Sequence, residues 1–242
     1  MRAETLERPI VLLDLDNTIL DFNAAERAAL SRTLTELGVP FDDGTLARYN
    51  KINIQHWELL EDGILTREEV LVKRFEALYR EMGVEADAWW TQDRYETLLS
   101  EGHWFMPGAE ELLEALRPYC RLFIVSNGAR TVQDARLRSA GIGPYFEQIF
   151  ISEEVGAEKP TREFFDRCFA AIPELDLRRA VLVGDSLTSD IRGAKNAGLL
   201  SVWYNYRGRP ARPDIVPDYE IRALSELPTL LRRLFPEAFI KT

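Results

Sequence analysis

Two aspartates, Asp14 and Asp16, close the apolar run Ile10-Val11-Leu12-Leu13. Burying like charges at the end of a strand is costly unless a cation neutralises them. In extended chain the side chains at i and i+2 share a side, so the two carboxylates could converge on one ion. The bland alternative is a strand that runs into an acidic, solvated turn. Three further groups weigh toward chemistry: Ser126 after Leu122-Phe123-Ile124-Val125, Asp185 after Ala180-Val181-Leu182-Val183-Gly184, and Lys159 in a loop. Three carboxylates with no histidine or cysteine among them suit a hard divalent cation, Mg²⁺ foremost. A lysine, a hydroxyl and the backbone amides beside Gly128 and Gly184 then point to an anionic substrate. Phosphate fits: the cation takes one oxygen, Lys159 acts as a point charge, and Ser126 with nearby amides donates to the others. A carboxylate can also attack phosphorus and carry the phosphoryl group.

The elements that must position these groups follow from the apolar pattern. Short, mainly apolar runs predict strands at Ile10–Leu13, 122–125, 148–151, 180–183 and 200–204. Helical spacing predicts helices over 109–116, 131–140, 162–171, 191–197 and 224–235. The segments 152–160 and 207–217 read as loops. Strands alternating with helices imply an α/β fold: a Rossmann-like, three-layer core whose mainly parallel sheet is covered on both faces. In such sheets ligands bind beyond the carboxyl ends of the strands, where Asp14, Asp16, Ser126 and Asp185 all fall. Between Leu20 and His103 no strand is legible. Four amphipathic stretches (23–38, 45–60, 66–82 and 87–99) predict a helical insert, with Thr66 as N-cap and Glu69 in a capping box. The expected organisation is a core of residues 1–20 and 104–242 interrupted by a helical domain of residues 21–103.

At 242 residues, 46 % apolar and 29 % charged, the chain can build a full core. Its net charge of −10 argues against nucleic acid or an anionic membrane as partner. A small anionic metabolite remains compatible, because a local cation can reverse the field in a cleft. Cys120 and Cys168 sit in apolar segments and read as reduced, buried thiols. Residues Met1 to Arg8 are charged and polar, with no signal-like apolar core, and a cytoplasmic location is expected. A monomer or homodimer is expected, since no element reads as a dedicated interface.

The motifs in order resemble the haloacid dehalogenase (HAD) superfamily. Asp14-Leu15-Asp16-Asn17-Thr18 resembles its first motif, Ser126-Asn127-Gly128 its second, Lys159-Pro160 its third and Gly184-Asp185-Ser186-Leu187-Thr188-Ser189-Asp190 its fourth. The helical insert resembles the C1-type cap. The resemblance implies that Asp14 is the nucleophile and Asp16 the acid, then the base, acting on the leaving oxygen and on water. It implies that Asp14, the Asp16 backbone carbonyl and Asp185 hold Mg²⁺, and that Ser126 and Lys159 orient the phosphoryl group, with Asn127 and Gly128 beside them. Asp190 is implied to orient Lys159 or a metal-bound water, or to be a ligand itself, and Thr18 to support the first loop. Dehalogenase members lack the second aspartate, because a halide leaves unprotonated. Asp16 therefore favours phosphoryl chemistry, where an alkoxide leaves.

Trp57-Glu58-Leu59-Leu60 before Gly63-Ile64-Leu65-Thr66, Ser152-Glu153-Glu154-Val155-Gly156 and Ile191-Arg192-Gly193-Ala194-Lys195-Asn196-Ala197-Gly198 are similar to the pyrimidine 5′-nucleotidase-like branch. The implied activity is Mg²⁺-dependent hydrolysis of a phosphomonoester, a nucleoside 5′-monophosphate, through an aspartyl-phosphate. The alternatives are a sugar-phosphate or phosphoglycolate phosphatase, a phosphomutase, and a non-catalytic binding protein on the same fold. Phe22 and Asn23, just after the first motif, are expected at the substrate. Trp57, Trp89, Trp90 and Trp104 read as core aromatics, and His56 and His103 as neither ligands nor bases. Gly193 and Gly198 read as a helix residue and its C-cap, and Asp42-Asp43 as a turn and helix cap.

Overall fold

In the computed structural model, which describes residues 8–239, the five expected strands and a sixth form one parallel sheet. The strands are β1 (Ile10–Leu13), β2 (Arg121–Ser126), β3 (Gln148–Ile151), β4 (Ala180–Gly184), β5 (Leu200–Tyr204) and β6 (Tyr219–Ile221). Their order, β3-β2-β1-β4-β5-β6, is the Rossmann order. The polar reading of residues 1–7 lies outside the described residues. The sixth strand is an addition to the five expected; its three residues, Tyr-Glu-Ile, make no apolar run.

The described residues fall into two units, each taken by itself. One comprises Asp21 and the residues before it, with Trp104 and those after it; the other is Phe22–His103. The second unit contains only helices: α1 (Phe22–Glu36), α2 (Asp43–Glu61), α3 (Arg67–Met82) and α4 (Ala88–Leu99). Their starts are written locally. Asp42 caps α2 by accepting from the Thr45 amide at 2.7 Å, Thr66 and Glu69 close a capping box on α3, and Asp87 caps α4. Tyr49, Phe75 and Tyr95 pack ring to ring in its interior, and the buried Arg74 guanidinium donates to Asn53 and Gln92.

The expectation that the tryptophans are core residues fails for three of four. Trp89 is 67 % exposed, Trp90 42 % and Trp104 51 %. On α4 the buried face is taken by Ala88, Thr91, Gln92, Tyr95, Leu98 and Leu99, which leaves Trp89 and Trp90 on the opposite side. Trp57 is half-buried and donates its indole N–H to Asn53.

In the first unit helices cover both faces of the sheet. These are α5 (Ala109–Leu116), α6 (Arg130–Ala140), α7 (Arg162–Ala171), α8 (Arg192–Ala197) and α9 (Leu227–Leu234). Alternate residues of β1 serve opposite layers: Val11 and Leu13 pack with Leu113, Leu137 and Leu231, while Ile10 and Leu12 pack with Phe164, Cys168 and Ala194. A strand buried on both faces needs a continuous apolar run, which is why β1 reads as one. Both cysteines are free and buried, and burial pushes each thiol up to about 12. Gly198 ends α8 in the left-handed region, at φ 75°. One turn of helix, Ser152–Val155, interrupts the loop expected there. No helix among the described residues is long and apolar enough to cross a membrane.

Candidate active site

Asp14 leaves β1 still paired: its amide donates to the Val183 carbonyl of β4 at 2.9 Å. That ladder bond sets the Asp14 side chain beside the end of β4, at the point where the strand order reverses. The chain then turns sharply. Asn17 adopts φ 61°, a left-handed conformation asparagine tolerates, and the Leu15 carbonyl accepts from Ile19 and Leu20. The turn aims Thr18 back at Asp14, and its hydroxyl donates to Asp14 Oδ2 at 3.1 Å.

Lys159 reaches the same carboxylate from the loop before α7. Its ammonium is buried and all three protons have acceptors: Asp14 Oδ1 at 2.8 Å, Asp190 Oδ1 at 2.7 Å and the Val125 carbonyl at 2.9 Å. In this arrangement Lys159 holds two aspartates and acts on other charges only through space. Asn127 fixes the lysine's backbone. Its side-chain amide donates to the Lys159 carbonyl at 2.8 Å, and its oxygen accepts from the Lys159 amide at 2.9 Å.

Asp190 arrives by a wide π-helical turn, Leu187–Ile191, that precedes α8. Its Oδ2 accepts from the Ser186 amide at 3.0 Å. A Cβ at Gly184 would overlap the Asp190 carboxylate, so this position must be glycine for Asp190 to sit there. Asp14, Asp185 and Asp190 each bring a carboxylate oxygen within 4.8 Å of the others. Asp185 has Arg209 at 3.8 Å, and Trp203 donates its indole N–H to the Asp185 carbonyl. Arg209 is set by Asn205, whose side chain bonds both the Arg209 amide and its carbonyl.

The electrostatics favour added positive charge. Burial, joined by Asp190, Asp16 and Asp185, drives the Asp14 carboxyl well above the usual carboxylate range, with Lys159 pulling the other way. Asp185 is pushed up to about 7, mainly by burial and then by Asp190, against Arg209, Arg207 and Lys159. Burial would lower the Lys159 ammonium, but Asp14 and Asp190 outweigh it and raise it. Three carboxylates around one buried ammonium leave an excess of negative charge. A proton can relieve it, and a hard divalent cation would relieve it better. The donor set fits such an ion: oxygen ligands only, with no His or Cys.

The Asp16 carboxylate does not join the other three. It turns to α6, where Gln133 Nε2 donates to Oδ2 at 2.6 Å and the Arg136 guanidinium pairs with Oδ1. The convergence of the Asp14 and Asp16 side chains on one ion is therefore corrected: α6 offers Asp16 a cation and a donor, and the acidic cluster is Asp14, Asp185 and Asp190. Ser126, at the end of β2, accepts from the same Gln133 nitrogen at 2.9 Å. Phe22 and Asn23, expected at the substrate, open α1 of the other unit. Gln133, Arg136 and Arg209 were not expected here. Nothing in a helix pattern tells which distant carboxylate a buried polar face will meet.

Residues 9–198 match the haloacid dehalogenase-like hydrolase family, and the chain belongs to it. It is 42 % identical to the HAD-hydrolase YfnB of Bacillus subtilis over 217 residues, 90 % of this chain and 92 % of that one. Pyrimidine 5′-nucleotidase PynA of Streptococcus pneumoniae is 35 % identical, over 90 % of this chain and 92 % of its own. Pyrimidine 5′-nucleotidase YjjG of Escherichia coli is 31 % identical, over 91 % and 96 %. The crystal structure of YfnB bound to magnesium superposes with a TM-score of 0.90 at 41 % identity, covering 93 % of this chain and 99 % of that one.

Proposed function

We propose that this protein is a Mg²⁺-dependent phosphomonoester hydrolase that acts on nucleoside 5′-monophosphates through an aspartyl-phosphate. The observation that carries the reading is the buried carboxylate of Asp14, gripped by Lys159 at 2.8 Å inside the acidic cluster, with the second carboxylate of Asp16 held apart from it. In this reading one carboxylate acts as nucleophile and the other moves protons. Asp14 and Asp185, with the Asp16 backbone carbonyl and Asp190 as further oxygen donors, would hold the cation. Bound there, Mg²⁺ would neutralise the cluster and polarise a phosphoryl oxygen.

The chain's own groups account for the rest. A carboxylate oxygen of Asp14 attacks phosphorus, and the bond to the substrate oxygen breaks as the Asp16 carboxyl gives that oxygen its proton. Asp16, now a carboxylate, takes a proton from water as the water attacks the aspartyl-phosphate. Phosphate leaves and Asp14 is regenerated. Lys159 and Thr18 hold Asp14 in place, Asn127 holds Lys159, and Ser126 donates to the phosphoryl group. The nucleotide preference is supported by the two pyrimidine 5′-nucleotidases among the relatives, each covered over nine tenths of its length.

The test is phosphate release from nucleoside monophosphates, sugar phosphates and phosphoglycolate, with Mg²⁺ and with chelator. Chelator-sensitive release led by pyrimidine monophosphates is expected. A preference for sugar phosphates would discard the nucleotide and keep the chemistry, and transfer between sugars without net release would make the protein a mutase. Asp14→Asn should lower kcat by at least about 10³-fold while the melting temperature holds. A folded, active Asp14→Asn protein would remove the nucleophile assignment.

A further inference from the structure

Two groups of the proposed reaction, the Asp16 carboxylate and the Ser126 hydroxyl, are held by one pair of side chains on α6. The direction of each hydrogen bond follows from chemistry. Arginine only donates, so the Arg136 Nη1 contact to Gln133 Oε1 at 3.0 Å sets which end of the amide faces it. The Gln133 nitrogen is then turned to the site, and its two protons go to Asp16 Oδ2 at 2.6 Å and Ser126 Oγ at 2.9 Å. Arg136 itself pairs with Asp16 Oδ1. Both side chains are buried, and at i and i+3 they share a helix face.

The consequences are specific. Ser126 Oγ accepts from Gln133, so its own proton points elsewhere. Asp16 accepts one donor at each oxygen, so a proton it carries must occupy one of the remaining lone-pair positions, turned from α6. Gly128 makes the room: a Cβ there would come 2.5 Å from Gln133 Cγ and Nε2.

We propose that Gln133 and Arg136 are positioning residues for phosphoryl transfer. Arg136 orients the Gln133 amide, and the amide presents the Asp16 proton to the leaving oxygen and the Ser126 proton, not its lone pair, to the phosphoryl group. This rests on the phosphatase reading above. It assigns Gly128 the task of admitting Gln133, beyond any contact with phosphate.

The experiment compares two substrates with different needs. An alkyl phosphate, the one the wild type cleaves fastest, needs its leaving oxygen protonated; p-nitrophenyl phosphate does not. Gln133→Glu keeps the shape but replaces the donor with an acceptor, and Arg136→Lys keeps the charge but loses the planar fork. Each should lower kcat/KM on the alkyl phosphate, which reports formation of the aspartyl-phosphate and not its hydrolysis, by about 10²-fold or more, the scale of general acid catalysis. On p-nitrophenyl phosphate the loss in kcat/KM should be at least about tenfold smaller, since only the Ser126 contact is common to both substrates in that step. Gly128→Ala, which displaces Gln133 without altering either partner, should show the same split. Melting curves establish that each variant is folded, and the three together guard against one failing to fold. Equal losses on both substrates, or none, would overturn the proposal while the phosphatase reading stands. A wild type that cleaves neither substrate removes that reading, and the proposal with it.

Discussion

Lys159 is the residue on which the charge balance of the site turns. Its ammonium is buried between Asp14 and Asp190, at 2.8 and 2.7 Å, and each of its protons is used. Breaking a buried ion pair from one side leaves the other partner uncompensated, at a cost of about 3–5 kcal/mol. Lys159→Met should therefore lower the stability of the chelated protein by about 3 kcal/mol or more, read by urea unfolding. Added Mg²⁺ should recover part of that loss, because it supplies charge to the same carboxylates. A variant as stable as the wild type in chelator would show that Lys159 does not hold the cluster together. The contrast with Asp16 is instructive at the same scale. Its cation is Arg136, fully buried on a helix, so the two carboxylates of the first motif answer to different positive charges.

At the scale of elements, the site is built where β1, β2 and β4 end side by side. The turn after β4 does the finest placement. Ser186 caps it by accepting from the Ser189 amide, and a π-helical turn carries Asp190 back over Gly184. Wide turns of this kind recur where a side chain must be re-aimed. Gly184→Ala would force the Asp190 carboxylate out of its place against Lys159 and Ser186. The expected result is a loss of about 1–3 kcal/mol in stability from overpacking, with activity reduced at least about tenfold. Thermal melts and phosphate release on the same preparation check both. Normal activity in that variant would mean that Asp190 has no part in holding the site.

At the scale of the whole molecule, the buried acids couple the site to stability. Asp185 is pushed up to about 7 and Asp14 is raised as well. The native protein thus keeps protons that the unfolded chain has already released at about pH 4. Native protons outnumber unfolded ones between about pH 4 and 7, so these groups make the metal-free protein less stable as pH rises through that window. A cation in the cluster takes the place of those protons. The rise in melting temperature on adding Mg²⁺ should be larger near pH 8 than near pH 5.5, and magnesium binding near pH 6 should release protons. An equal or smaller rise at the higher pH would sever the link between the acidic cluster and the ion.

Much of the molecule is written locally, and that part was legible in the chain. A strand buried on both faces must be a continuous apolar run, as β1 is, and the mainly apolar stretches of β3 and β5 also stand in the sequence with their bounds. Caps involve residues three or four apart, so Asp42 and the Thr66–Glu69 box could be read directly. Motif order and the carboxyl ends of strands placed Asp14, Ser126, Lys159 and Asp185 on one rim. What the sequence left open depends on contacts between residues far apart along the chain. Gln133 and Arg136 meet an aspartate more than a hundred positions away, and only the packing of α6 against the sheet brings them there. Asp190 joins the carboxylates only because a π-helical turn and a bare glycine allow it, and β6 is a strand only because β5 lies beside it. The sequence by itself determined which groups could do chemistry and which ends of which strands carry them. The tertiary structure decided which carboxylates share charge and which stand apart, because that is set by what each buried charge finds within reach.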